Sequence, residues 1–192
     1  MPASGFLPLA SPVLRVAGMF LLGEKENFWK LHERIPMKTW KRAVMDAVIA
    51  GSFAGFTSMA AMAWRSRVEN RTPWAAVNAP SHWFWGEPAL GQNGRSVRYS
   101  ATGLFNHYLA AGFWALGHER FLGHPAGPKP IPILLRDAAA TTAVAALVDL
   151  RLVPHRLTPG FQERLSTPSL FLVYGMFGAG LALGSWLAGL RR

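Results

Sequence analysis

LSTPSLFLVYGMFGAGLALGSWLAGL, residues 165–190, runs for 26 positions without an Asp, Glu, Lys or Arg. At a rise of about 1.5 Å per residue, a helix of that length more than crosses the ~30 Å hydrocarbon core of a bilayer. A membrane-spanning helix is therefore the first expectation. Thr167-Pro168 marks its entry: a capping hydroxyl, then a proline whose missing N–H costs nothing in the first turn.

Working outward, three further apolar stretches repeat the pattern. Ala43 to Trp64 gives 22 residues whose only charge is Asp46, a helix of about 33 Å. Tyr99 to Gly117 gives 19 charge-free residues in which Asn106 and His107 are the conspicuous polar groups. The third is weaker: Ala138 to Val148 is only 11 residues free of charge and reaches span length by taking in Ile131 to Leu135 and the Arg136-Asp137 pair. The expected fold class is an all-α polytopic membrane protein, a four-transmembrane-helix bundle over 37–192 with spans near 43–64, 99–117, 131–149 and 167–190. Ahead of it, 1–36 forms a separate interfacial or disordered segment. Its apolar run lacks a basic residue before Arg15 and is interrupted by Pro8 and Pro12, unlike a cleaved signal. Val13 to Leu22 reads instead as a short helix on the membrane surface, with Lys25, Lys30 and Arg34 among the headgroups.

Composition agrees with this class. The chain is 51% hydrophobic, yet carries 20 basic and 10 acidic residues, a net charge of +10, gathered between the apolar runs. Such a balance fits nucleic acid as well as anionic lipid, but basic residues flanking apolar spans are what membrane topology selects, so no nucleic-acid partner is expected. The absence of cysteine excludes disulfides, thiolate metal sites and a cysteine nucleophile. Eight Trp suit the membrane interface. With the amino terminus cytoplasmic, seven Lys and Arg before the first span, three between His118 and Asp137 and two at the carboxy terminus stand against eight on the other side. The positive-inside bias thus places both termini in the cytoplasm.

Helices in lipid associate through close approach, so Gly51-x-x-x-Gly55 and Gly180-x-x-x-Gly184 read as packing faces within the bundle, or as a dimer face. The run Ala138-Ala139-Ala140-Thr141-Thr142-Ala143 predicts a third span enclosed by its neighbours.

Alternating spans sort the polar residues into two layers. Asp46, His118, Glu119, Arg136 and Asp137 fall on the cytoplasmic side as a candidate rim network, with caps and ion pairs or a proton relay as its competing roles. On the other side Asn106 and His107 lie about 10 Å into the second span. The 34-residue connection from Arg65 to Arg98 brings His82, Trp83, Trp85 and Glu87 above them as a Trp-rich interfacial loop. These six residues form a candidate polar pocket. Aromatic anchoring is one role for it; a cradle for a lipid headgroup or quinone is the other. His107 and His118 project within about 20° of each other but roughly 16 Å apart along the helix, so one metal or haem cannot use both. His118-Glu119 lacks the zinc-protease spacing, since Leu122 stands where the second His is required. No P-loop, dinucleotide fingerprint or nucleophile elbow occurs, and no metal or cofactor is expected. In the last connection Pro154, Pro159 and Gly160 predict a rigid turn. Asp149, at a helix carboxy terminus, needs a cation, which Arg151 or Arg156 would supply as a loop staple.

The Pro80-Ser81-His82-Trp83 to Gly86-Glu87 segment, the span carrying His107 and Trp114 with Glu119, and the Asp149 to Gly160 turn together resemble the YagU-like family of small bacterial inner-membrane proteins, over roughly Met37 to Leu190. The resemblance implies location and span count and brings no catalytic residues with it. The leading expectation is a structural or accessory multipass protein that binds lipid, a membrane-protein partner or a second copy of itself. A small transporter or proton-conducting protein using Asp46, His107 and Asp137, and a haem, metal or quinone protein acting at His82, His107 and Glu87, are the alternatives.

Overall fold

The computed structural model describes residues 37–191; the surface segment expected at 1–36 lies outside them. The described residues form helices and turns, with no strand among them. Helix α1 spans Trp40–Asn70, α2 Trp74–Asn78, α3 His82–Trp85, α4 Thr102–Phe121, α5 Ile131–Leu147 and α6 Thr167–Gly189. Short 3₁₀ turns fill the connections, and a π-helical turn leads into α4 at Val97–Ala101 and another leads out of α5 at Val148–Leu152.

α1 is long because nothing in it stops a helix. It has no proline, and alanines recur along it. Thr39 caps its start by accepting from the Arg42 N–H, and Arg71 ends it in the left-handed region at φ 60°, two residues before Pro73. α6 starts one residue earlier than a Thr167 cap would place it: Ser166 is the cap and Pro168 the second helical residue. The capping group comes from α1, where Glu69 accepts from the Ser166 N–H at 2.7 Å and its hydroxyl at 2.9 Å. A carboxylate at a helix amino terminus is favourable by the helix dipole.

The long helices alternate in direction. At one end the start of α1 meets the end of α4, with the Trp40 and Phe121 rings 6.4 Å apart, and the end of α6 meets Pro128. At the other, Glu69 meets the start of α6. α1 is the hub: it packs most extensively on α6 and next on α4, while α5 lies along α6 and barely touches α4. Both glycine pairs serve these seams. A β-carbon on Gly184 would fall 2.6 Å from the Ala50 Cα, and one on Gly51 would fall 3.0 Å from the Gly112 Cα.

Packing is inverted relative to a water-soluble protein. Ala50, Ala54 and Ala115 are fully buried, whereas Phe171 is 77% exposed, Phe113 66% and Phe56 65%. Small residues let the backbones approach, and the large apolar side chains cover the outside. Three helices, Trp40–Asn70, Ile131–Leu152 and Thr167–Gly189, are long and apolar enough to cross a membrane.

Two sequence expectations change here. α4 has the length of a span, 20 residues, but Asn106, His107, His118, Glu119 and Arg120 lower its apolarity, and it falls outside those three. The alanine-rich α5 is peripheral instead of enclosed. A third of its apolar window is buried against half of that of α1, and Ala139, Ala140 and Ala143 face outward. Because α4 stands apart from it, only the stripe Leu134, Asp137, Ala138, Thr141 and Ala145 is covered.

Candidate functional site

The separation of α4 from α5 leaves a cavity of about 580 Å³ between α4, the π-helical end of α5 and α6, roofed by the connections before α4 and before α6. Its walls are almost entirely apolar, with Phe113, Trp114, Val148, Val173 and Phe177 among them. Four polar side chains that line it are Asn106, His107, Asp149 and Tyr174. A second cavity of about 530 Å³ follows the same seam toward the other end, and the two share Phe113 and Trp114.

The hydrogen bonds assign the polarity of each group. The Asn106 amide donates through Nδ2 to the Pro80 carbonyl at 2.9 Å, which leaves Oδ1 buried with no partner. The Ser58 hydroxyl donates to the Ala54 carbonyl at 2.6 Å, so His107 Nε2, 3.0 Å from Ser58 Oγ and 3.3 Å from the Gly55 carbonyl, carries the proton. Nδ1 is then the lone-pair nitrogen of the neutral ring. Asp149 accepts from the Tyr174 hydroxyl at 3.1 Å. The cation expected for Asp149 is therefore not what holds it. The cause is the π turn at Val148–Leu152, which turns Asp149 toward α6, while Arg156 donates to the Trp83 carbonyl at 3.1 Å.

The six residues of the expected pocket divide. Trp83, Asn106 and His107 line the cavity. His82 is wholly buried and braces the loops, its ring nitrogens 2.9 Å from the Ala79 carbonyl and 3.3 Å from that of His155. Trp83 adds to this brace by donating to the Thr158 carbonyl at 2.7 Å. Gly160, at φ 81°, passes so close to His82 that a β-carbon would fall 2.7 Å from its Nδ1. Trp85 and Glu87 lie outside. Trp85 donates to Thr102 Oγ1 at 3.3 Å under the Arg98 guanidinium, and Glu87 faces His155 at 3.5 Å.

At the opposite end the rim residues come together around lysines. Lys38 bonds both Asp46, at 2.8 Å, and Glu119, with all three side chains nearly excluded from solvent. Asp137 is held by Arg136, at 2.8 Å, and by Lys129. His118 Nδ1 donates to Thr141 Oγ1 at 2.8 Å, because that hydroxyl donates to the Asp137 carbonyl. Lys38, His118, Lys129 and Asp137 border one small cleft. Among the described residues no three His, Asp or Glu gather closely enough to hold a metal ion.

Sequence reasoning passed over Lys38, Lys129, Thr141, Ser58 and Tyr174. Lys38 and Lys129 had counted only toward charge, although each stands eight residues before a carboxylate at a helix start. Tyr174 carried a signal in being the sole tyrosine of the fourth apolar run.

Comparison with protein-family models, with curated proteins and with solved structures finds no match to this chain.

Proposed function

We propose that this chain is an integral membrane protein with four crossings, α4 included, whose work is to bind a membrane component and not to turn one over. The observation that carries the reading is the inverted packing. Alanine and glycine fill the interior, large apolar side chains cover α1, α4, α5 and α6, and the ion pairs collect toward the two ends. α4 is not among the three helices apolar enough to cross a membrane, yet Phe105, Leu109 and Phe113 face outward from it while Asn106, His118 and Glu119 are buried. A helix that turns its polar groups to its partners and its rings outward is suited to lipid.

Binding is favoured over ion conduction by what separates the two polar layers. Between the Lys38 cluster and His107 lies a packed apolar plug that includes Ala47, Ala50, Ala111, Ala115 and Leu181, a barrier to a relay of protonatable groups. We further propose that the chain belongs with the YagU-like inner-membrane proteins, and that both chain termini are cytoplasmic. An alkaline carbonate wash of membranes from expressing cells tests the reading. The protein is expected to stay in the pellet and to be released by detergent; release by carbonate alone would overturn it.

A further inference from the structure

Two side chains that line the cavity between α4 and α5, Asn106 and His107, present acceptors that no donor meets. Asn106 Oδ1 is an acceptor without a donor, on a residue 3% exposed, and the bond to the Pro80 carbonyl prevents the amide from turning round. His107 has its proton committed at Nε2, which leaves an acceptor nitrogen. Asp149 accepts from the Tyr174 hydroxyl and from the Trp114 indole N–H, so the donors beside it are already given to it. An unsatisfied buried acceptor costs about 1–3 kcal/mol, so a group that supplies a donor there gains more than an ordinary hydrogen bond would. The remaining walls are carbon, and the cavity is partly open along the seam where the two helices barely touch. Its size is that of a small-molecule site. π-helical turns recur at functional sites, and the one that sets Asp149 against the cavity fits that pattern.

We infer that this cavity is a binding site for a lipophilic molecule whose polar end donates hydrogen bonds, a hydrophobic alcohol or phenol entering sideways from the bilayer. The hydroxyl meets Asn106 Oδ1, and the apolar body lies against Phe113, Val173 and Phe177. A ligand whose polar end only accepts, such as an ether or a quinone carbonyl, is discriminated against because acceptor would face acceptor. This inference rests on the membrane-binding reading above and names the class of molecule bound.

The test compares para-octylphenol with its methyl ether, two probes of nearly the same shape that differ in one donor. The full chain in phosphatidylcholine nanodiscs is titrated with each. Binding is followed by tryptophan fluorescence, since Trp83 and Trp114 line the cavity, against protein-free nanodiscs as the partitioning background. The phenol is expected to bind saturably and about tenfold more tightly than the ether, the equivalent of one hydrogen bond. Asn106→Leu is expected to erase the preference, and Ala110→Phe, which fills the cavity from α4, to abolish saturable binding of both. Equal affinities for the two probes in the unaltered protein, no saturable binding, or a preference that survives Asn106→Leu would overturn the inference. Failure of either probe to bind to a chain inserted in nanodiscs defeats the cavity assignment alone. A chain that will not insert defeats the membrane reading itself.

Discussion

Lys38 and Glu119, 81 positions apart in sequence, meet in a buried ion pair that ties the approach to α1 against the end of α4. The Asp46 carboxylate shares the same ammonium at 2.8 Å. Two carboxylates and one cation in a nearly dry setting make a register pin, because every member loses if α4 slides along α1. Removing the cation leaves Glu119 charged and buried, a loss worth about 3–5 kcal/mol. Lys38→Met is therefore expected to lower stability by about that much in detergent unfolding curves. Combining it with Asp46→Leu and Glu119→Leu should restore most of the loss, since buried ion pairs replaced together by apolar groups are often neutral. A Lys38→Met protein as stable as the parent would show that the pair pins nothing.

Glycines in this bundle fall into two kinds that are expected to respond oppositely to alanine. At Gly184 a β-carbon would sit 2.6 Å from the Ala50 Cα, in backbone that cannot move aside, whereas at Gly175 it would meet nothing within 4 Å. Gly184→Ala is expected to cost about 1–3 kcal/mol by forcing α6 off α1. Gly175→Ala should be neutral or stabilising by up to about 1 kcal/mol, the helix-propensity gain. Thermal melting of the two variants side by side measures the difference, and equal melting temperatures would contradict the α1–α6 seam.

Tyr174 and Asp149 join α6 to the π-helical end of α5 through one hydrogen bond of 3.1 Å. Tyr174→Phe keeps the ring and removes the donor, so Asp149 is left with the Trp114 N–H alone, at a cost of about 1–3 kcal/mol. Asp149→Leu in the same chain should then be close to neutral, a non-additivity read from a double-mutant cycle. Additive losses would mean that the two groups act independently.

Much of this architecture is readable before any coordinates, for a physical reason. Runs long enough to cross lipid with one charge or none are local features, so the helices at 40–70 and 167–189 follow from counting, whereas 131–152 reaches span length only by taking in Arg136, Asp137, Asp149 and Arg151. Asn106 and His107 stand out equally well, as polar residues in an apolar run, and both line the cavity. What local pattern does not carry is which neighbour a face meets. The small residues of α5 permit close approach but do not demand it, and only part of that helix is covered. Asp149 illustrates the same limit. The need for a partner is visible in its position, but the partner is a hydroxyl on α6 because a π turn shifts its direction. Alternating spans put Asp46 and Glu119 in one rim network, but the Lys38 that joins them precedes the first apolar run and carries no such signal.

The account turns on α4 crossing the bilayer with the other three helices, and single cysteines test this most directly because the chain has none of its own. Gly94→Cys and Pro154→Cys would report from one end of the bundle, Ala126→Cys and Arg191→Cys from the other. With a membrane-impermeant maleimide applied to intact cells, the first two are expected to label at once, and the second two only after the membrane is permeabilised. Labelling of Gly94→Cys and Ala126→Cys from the same side would place both ends of α4 on one face of the membrane and contradict the four-crossing bundle.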